Sequence, residues 1–309
     1  MKVMDYLILL GLILFLSLGI WLLWLNLPAE EVQYRQVDLN LSFASGVYSN
    51  TSQFYPRMRY KDKEISYWVD DSCDSKKKDS IFGALFRLMD ETDLVFKQSD
   101  DEEDSEIEYL CSREPSQERD SEYYVAGEGG PIKIINTSNY FIILKGEVVL
   151  YSDETCPEAQ VALHETLHAL GFDHNKNESS ILYPITNCKQ VFDNYLIDEI
   201  NGLYSEDSLP DLIIESLKAN RTGDYLNFEA SISNIGLDDA NGAFLVILEE
   251  EGDEVKEFDL KDIEVGVRRK LSVENLKLSS DNRKLVFKVG LKEQSEIDES
   301  NNIVTLVVV

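Results

Sequence analysis

The only three histidines of this 309-residue chain, His164, His168 and His174, fall in one stretch, HETLHALGFDH. In a helix, residues i and i+4 stand one turn apart on the same face, about 5–6 Å at Cβ, so the imidazoles of His164 and His168 can reach a single metal ion. Glu165 lies beside them but off that axis. Its carboxylate can reach a water held at the metal rather than the metal itself, which is where a general base belongs. Gly171 tolerates the left-handed backbone that ends a helix, so the chain can reverse and return His174 as a third ligand. Three ligands leave Zn²⁺ an open position, the mark of a catalytic site, since a structural zinc takes four. One catalytic Zn²⁺ is the cofactor these residues imply.

A helix must hold His164 and His168, and the residues ahead of them predict one. Thr155 with Glu158 makes a capping box, Pro157 suits a first turn, and AQVALHETLHAL is rich in alanine and leucine. Upstream, ISYWV (65–69) reads as a strand and 80–89 as a helix behind Ser80, while 94–96 begins another strand. Residues 132–135 and 141–151 are strand-like, the latter with the turn signal of a hairpin at Lys145-Gly146. Ser99 to Glu108 holds seven acids and no base. A Ca²⁺ loop is one reading, but the glycine and ligand spacing of an EF-hand are absent, which leaves Ca²⁺ unsupported and favours a solvated surface loop.

HExxHxxGxxH is the motif of the metzincin zinc endopeptidases, and this chain resembles their matrixin branch. Beyond His174, Ser180-Ile181-Leu182-Tyr183-Pro184 is similar to the matrixin Met-turn, with Leu182, eight residues after His174, at the methionine position. Leucine has a similar volume and can serve as the hydrophobic base under the imidazoles. Residues 196–204 are similar to the family's C-terminal helix, and Phe54-Tyr55-Pro56 with ISYWV to its N-terminal start, so the resemblance covers about 54–205. It implies an α+β protease domain, a mixed twisted sheet with an active-site helix, that cleaves peptide bonds with Zn²⁺ and Glu165. Asn175 replaces a common serine and Thr186 a common tyrosine, so the resemblance does not define the S1′ wall. No histidine remains for a structural zinc, and no cysteine switch precedes the domain. Of the three pairings open to Cys73, Cys111, Cys156 and Cys188, the most local joins Cys73 to Cys111 and Cys156 to Cys188, the second bracketing the zinc site.

Tyr6 to Ala29 carries no charge and as a helix would span about 36 Å, enough for a bilayer core of about 30 Å. The expected order is therefore a single transmembrane anchor (1–29), a stalk (30–53), the peptidase domain (54–208) and a further domain (209–309). An even cysteine count suits an oxidising compartment, which puts the N-terminus in the cytoplasm and the bulk of the chain outside the cell. From Leu209 onward, apolar and polar residues alternate over 226–233, and 244–248, 285–291 and 303–309 are further strands, which together predict an all-β sandwich. DLIIESLKA, SNIG and ESNNIVTLVV resemble the immunoglobulin-like cell-adhesion-related (CARDB) domain of bacteria and archaea. Asn234, Gly236, Asn301 and Asn302 read equally well as turn residues.

With 58 acidic against 29 basic residues, a net charge of −29, the chain repels phosphate backbones, and nucleic acid is excluded as a partner. The expected partners are a protein or peptide substrate, the membrane through the N-terminal helix, and a cell-surface partner of the sandwich. The rival reading is a surface adhesion or scaffolding protein with a degenerate metal site. An intact Glu165 argues against it, because that residue binds nothing and is the first to be lost when catalysis is not needed.

Overall fold

The computed structural model describes residues 3–25, 30–38, 52–112, 125–151, 156, 158–278 and 283–308. Helix α1 runs Val3–Leu25, and strand β1 runs Glu31–Asp38. Among the described residues no helix is long and apolar enough to cross a membrane. The anchor expected over 1–29 is therefore without support from the fold.

The stalk expected at 30–53 is not what its first residues form. β1 pairs antiparallel with β12 (Val267–Lys277), from Glu31↔Glu274 to Asp38↔Val267, and so becomes an edge strand of the C-terminal sandwich. The partner lies so far along the chain that no local pattern in EVQYRQVD announces it. The rest of the expected stalk, 39–51, lies outside the described residues.

The first domain is a mixed sheet, β2 (Met58–Tyr60), β3 (Glu64–Val69), β4 (Val95–Gln98), β5 (Ile107–Cys111), β6 (Gly127–Asn136) and β7 (Phe141–Leu150). The order is β2-β7-β5-β3-β4, parallel throughout, with β6 antiparallel on the other side of β7. Lys145-Gly146 does not turn a hairpin; β7 runs straight through it. Lys145 instead lends its ammonium to the acidic loop, donating to the carbonyls of Glu102 at 2.6 Å and Ser105 at 2.7 Å and pairing with Glu108 at 2.6 Å. A lysine thus occupies the oxygens that a loop cation would need. Helix α2 spans Ser75–Glu91, longer than the 80–89 expected, because Asp74 rather than Ser80 caps it by accepting from the Lys77 amide. Helices α3 (Gln160–Ala169) and α4 (Asn194–Leu203) complete the domain. Its core includes Tyr60, Ile65, Ile81, Leu88, Ile107, Tyr109, Val148, Leu163 and Leu167.

The second domain stacks two antiparallel sheets. One has the order β1-β12-β9-β8, with β8 at Leu212–Thr222 and β9 at Tyr225–Asn234; the other is β11-β10-β13-β14, from Glu254–Ile263, Ala240–Glu249, Lys284–Leu291 and Ile303–Val307. Phe228 meets Phe258 and Phe287 edge-on between them, at 5.6 and 5.3 Å between ring centroids. The domains touch through a small apolar cluster in which Tyr140 and Ile142 of the first pack with Leu237 of the second. The buried Thr137 hydroxyl donates across this junction to the Ile235 carbonyl at 2.9 Å, and Lys61 pairs with Asp238 at 2.6 Å.

Candidate metal centre

Helix α3 lies on β6 and β7 and carries His164, Glu165 and His168, all buried, at 4%, 7% and 5% exposure. The helix starts at Gln160, behind Ala159 in the left-handed region with no side-chain cap. Thr155 and Pro157 of the expected capping box lie outside the described residues. Its central turn is anchored from below by the buried Tyr109 hydroxyl, 3.0 Å from Thr166 Oγ1, which itself donates to Ala162 O at 2.7 Å. Tyr60 reaches the last turn, donating to Ala169 O at 3.2 Å.

Gly171 ends the helix with φ +96°. A side chain there would be strained by its backbone and would also meet Met58 Cγ at 2.7 Å. The turn it allows is held by residues ahead of the sheet: Phe54 N donates to Gly171 O at 2.9 Å and Asp173 N to Ser52 O at 2.8 Å. His174 then comes back over the helix.

The three histidines converge. Nε2 of His164 and His168 are 3.0 Å apart, and each is 3.2 Å from Nε2 of His174. The other ring nitrogens of the helical pair are committed: His164 Nδ1 donates to Ile181 O and His168 Nδ1 to Phe172 O, both at 2.6 Å. A backbone carbonyl only accepts, so both Nδ1 atoms carry the proton and both Nε2 atoms present lone pairs to the centre. Burial, then the neighbouring His168, pushes His164 down to about 4, and burial also lowers His168 and His174. Neutral imidazoles with their lone pairs facing one another repel unless a cation lies between them, and nitrogen donors of this kind suit Zn²⁺. Among the described residues these three form the one group of three or more histidine, cysteine or acid side chains placed to hold a metal ion, their ligand atoms lying within 4.8 Å of one another.

Leu182 is fully buried in the following turn. The turn is tied back to the histidines through Ile181 O and through Asn175, whose amide N donates to Leu182 O at 3.0 Å. Asn175 also donates from Nδ2 to Ser180 Oγ at 2.8 Å, and Ser180 donates to Asp193, the cap of α4, at 2.8 Å. Tyr183 is half-buried and Pro184 exposed. Two disulfides are present, Cys73–Cys111 and Cys156–Cys188. The second joins the approach to α3 to the segment after Pro184.

Several residues of this site have no counterpart in the motif. β6 passes over α3 so closely that a Cβ on Gly129 would stand 2.1 Å from the Glu165 carbonyl oxygen. Glu128 acts on Glu165: burial first, then this second carboxylate, pushes Glu165 up to about 8. The Tyr151 hydroxyl donates to Glu128 at 3.0 Å. The signal was present in the sequence as glycines inside a strand, which mark close backbone approach.

The model of the matrixin family matches residues 59–205. No curated protein matches the chain. Solved structures similar to it include a domain of a Methanosarcina acetivorans protein assigned to the cell surface, at 22% identity and TM-score 0.28, covering 32% of this chain and 90% of that one. Another is the CARDB domain of a Pyrococcus furiosus protein in complex with di-metal ions, at 17% identity and TM-score 0.26, covering 32% and 87%.

Proposed function

We propose that this chain, which carries a matrixin-like domain over residues 59–205, is a zinc endopeptidase. The observation that carries the reading is the convergence of three imidazole Nε2 atoms within 3.2 Å, two of them fixed as lone-pair donors by their own Nδ1–H bonds. His164, His168 and His174 would hold the ion. A bound Zn²⁺ supplies Lewis acidity that polarises a scissile carbonyl and makes water acidic.

The chain's own residues do the rest. Glu165 is the general base: it takes a proton from the attacking water and passes it to the leaving amine, so no acyl-enzyme forms. Its burial keeps the carboxylate poorly solvated and basic, a state that favours proton uptake. Leu182 closes the floor of the site. β6 is an edge strand whose far side is free of strand partners among the described residues, which suits it to align an extended peptide beside Glu165. The residues after 30 would lie outside the cell, where the two disulfides persist. The sandwich would meet a cell-surface partner.

The test is cleavage of a mixed peptide library by the metal-loaded full chain, with Glu165→Gln beside it. The wild type should cleave and the variant should keep its zinc while losing about 10²–10⁴-fold in kcat. Zinc binding with no cleavage by the wild type would move the chain to the adhesion reading.

A further inference from the structure

Away from the histidines, the sandwich buries acid without a counter-charge among the described residues. Asp211, at the mouth of β8, is 1% exposed. Glu296, on the approach to β14, is half-buried and accepts from Leu212 N at 2.7 Å; Ile297 N donates to Pro210 O at 2.9 Å, which sews the two segments together. The charged groups that act on them are acids: Asp298 and Glu206 on Asp211, Asp211 and Glu299 on Glu296. Burial raises both carboxyls, Glu296 to about 7. Buried carboxylates ordinarily demand a cation or a proton.

Two asparagines complete the cluster. Asn301 Nδ2 donates to Asp211 Oδ1 and Asn302 Nδ2 to Glu296 Oε1, each at 2.9 Å. These bonds fix both amides, since a flipped amide would set its oxygen against a carboxylate. The amide oxygens are left over: among the described residues Asn301 Oδ1 and Asn302 Oδ1 are buried with no hydrogen-bond partner, and Asn302 is only 1% exposed. Oxygen and nitrogen of one amide are about 2.2 Å apart, so each orphan oxygen lies within about 5 Å of the carboxylate its own NH₂ binds. Asn234, by contrast, is fully used, accepting from Asp211 N and Gly236 N and donating to Asp238 O and Ile263 O.

We propose that Asp211, Glu296, Asn301 and Asn302 form a Ca²⁺ site in the sandwich, with the two orphan amide oxygens and the two carboxylates as its protein ligands. The donors are all hard oxygens, which disfavours the nitrogen- and sulfur-seeking metals. Mg²⁺ is small, holds its waters and is rarely caged by protein, whereas Ca²⁺ accepts carboxylate and amide oxygens in irregular sets. The ion would neutralise the buried acid and lock the start of β8 to the start of β14. This inference stands apart from the peptidase reading, as no histidine takes part.

The test is calcium titration of the full chain, stripped on a chelating resin, followed by calorimetry and thermal unfolding. One Ca²⁺ should bind per chain, and about 5 mM CaCl₂ should raise the Tm of the sandwich by at least about 3 °C, with MgCl₂ giving less than about half of that. Asn302→Ala and Asp211→Asn should lose the shift, and His174→Ala should keep it. Glu296→Gln should lose the shift yet melt higher than wild type without calcium, because it removes the uncompensated charge; a merely structural Glu296 would do the opposite. Absence of a calcium shift in the wild type overturns the proposal, as does an equal response to MgCl₂ or an undiminished shift in Asn302→Ala. Stabilisation by acid between about pH 8 and 5.5 with none by calcium would assign the site to a proton and overturn it equally.

Discussion

His164 Nδ1 lies 2.6 Å from the main-chain oxygen of Ile181, the residue before Leu182. One hydrogen bond therefore fixes the tautomer of His164 and ties the following turn to it. The side chain of Leu182 takes no part in that bond. Leu182→Met should leave zinc content unchanged and cost less than about 1.5 kcal/mol in urea unfolding, since the swap conserves volume. A loss above about 3 kcal/mol would show that the pocket around Leu182 is shaped for leucine alone.

Each histidine should matter to the metal. His164→Ala, His168→Ala and His174→Ala should each lower zinc per chain, measured by atomic emission after dialysis. His174→Ala should be the mildest for stability because His174 is the exposed residue of the three. Full zinc retained by one variant would remove that residue from the ligand set.

The Cys156–Cys188 bridge encloses all three histidines in a loop with a sequence separation of 32. Cross-linking a loop of that length is worth about 3–4 kcal/mol in the chain-entropy account. The double variant Cys156→Ser/Cys188→Ser should lose peptidase activity at temperatures where the sandwich, which has no cysteine, still gives its native β signal. Activity and β signal lost together on heating would mean that the bridge does not act locally on the site.

Gly129→Ala would set a methyl group 2.1 Å from the Glu165 carbonyl. β6 must then move off α3. Overpacking of this kind costs about 1–3 kcal/mol, and kcat should fall further than stability implies, because the displaced strand borders Glu165. Wild-type activity in this variant would show that β6 can shift freely.

The convergence of the three histidines was legible from sequence because its geometry is local: one helical turn separates the first two and one glycine turn returns the third. Such spacing survives any tertiary context. The sheet strands at 65–69 and 94–96 were legible from β-branched and aromatic runs for the same reason. What failed involved distant partners. EVQYRQVD has no strand signal strong enough to declare a partner at Val267–Glu274, and the lysines of SKKKDS hid a helical start that depends on Asp74. Lys145-Gly146 has the composition of a turn, yet its lysine is consumed by the acidic loop. Glu128 reaches Glu165 only because β6 lies across α3, a relation no linear pattern contains.

β1 has a consequence for synthesis. β12, its pairing partner, leaves the ribosome about 230 residues after it. At about 5–20 residues per second, that is a wait of roughly 10–50 s, during which the whole domain that carries the three histidines emerges first. The first of the described strands to be made is thus among the last to find its place. A chain released before β12 would carry β1 as an unpaired edge close to helix α1, so closure of this sheet would report that translation had passed β12.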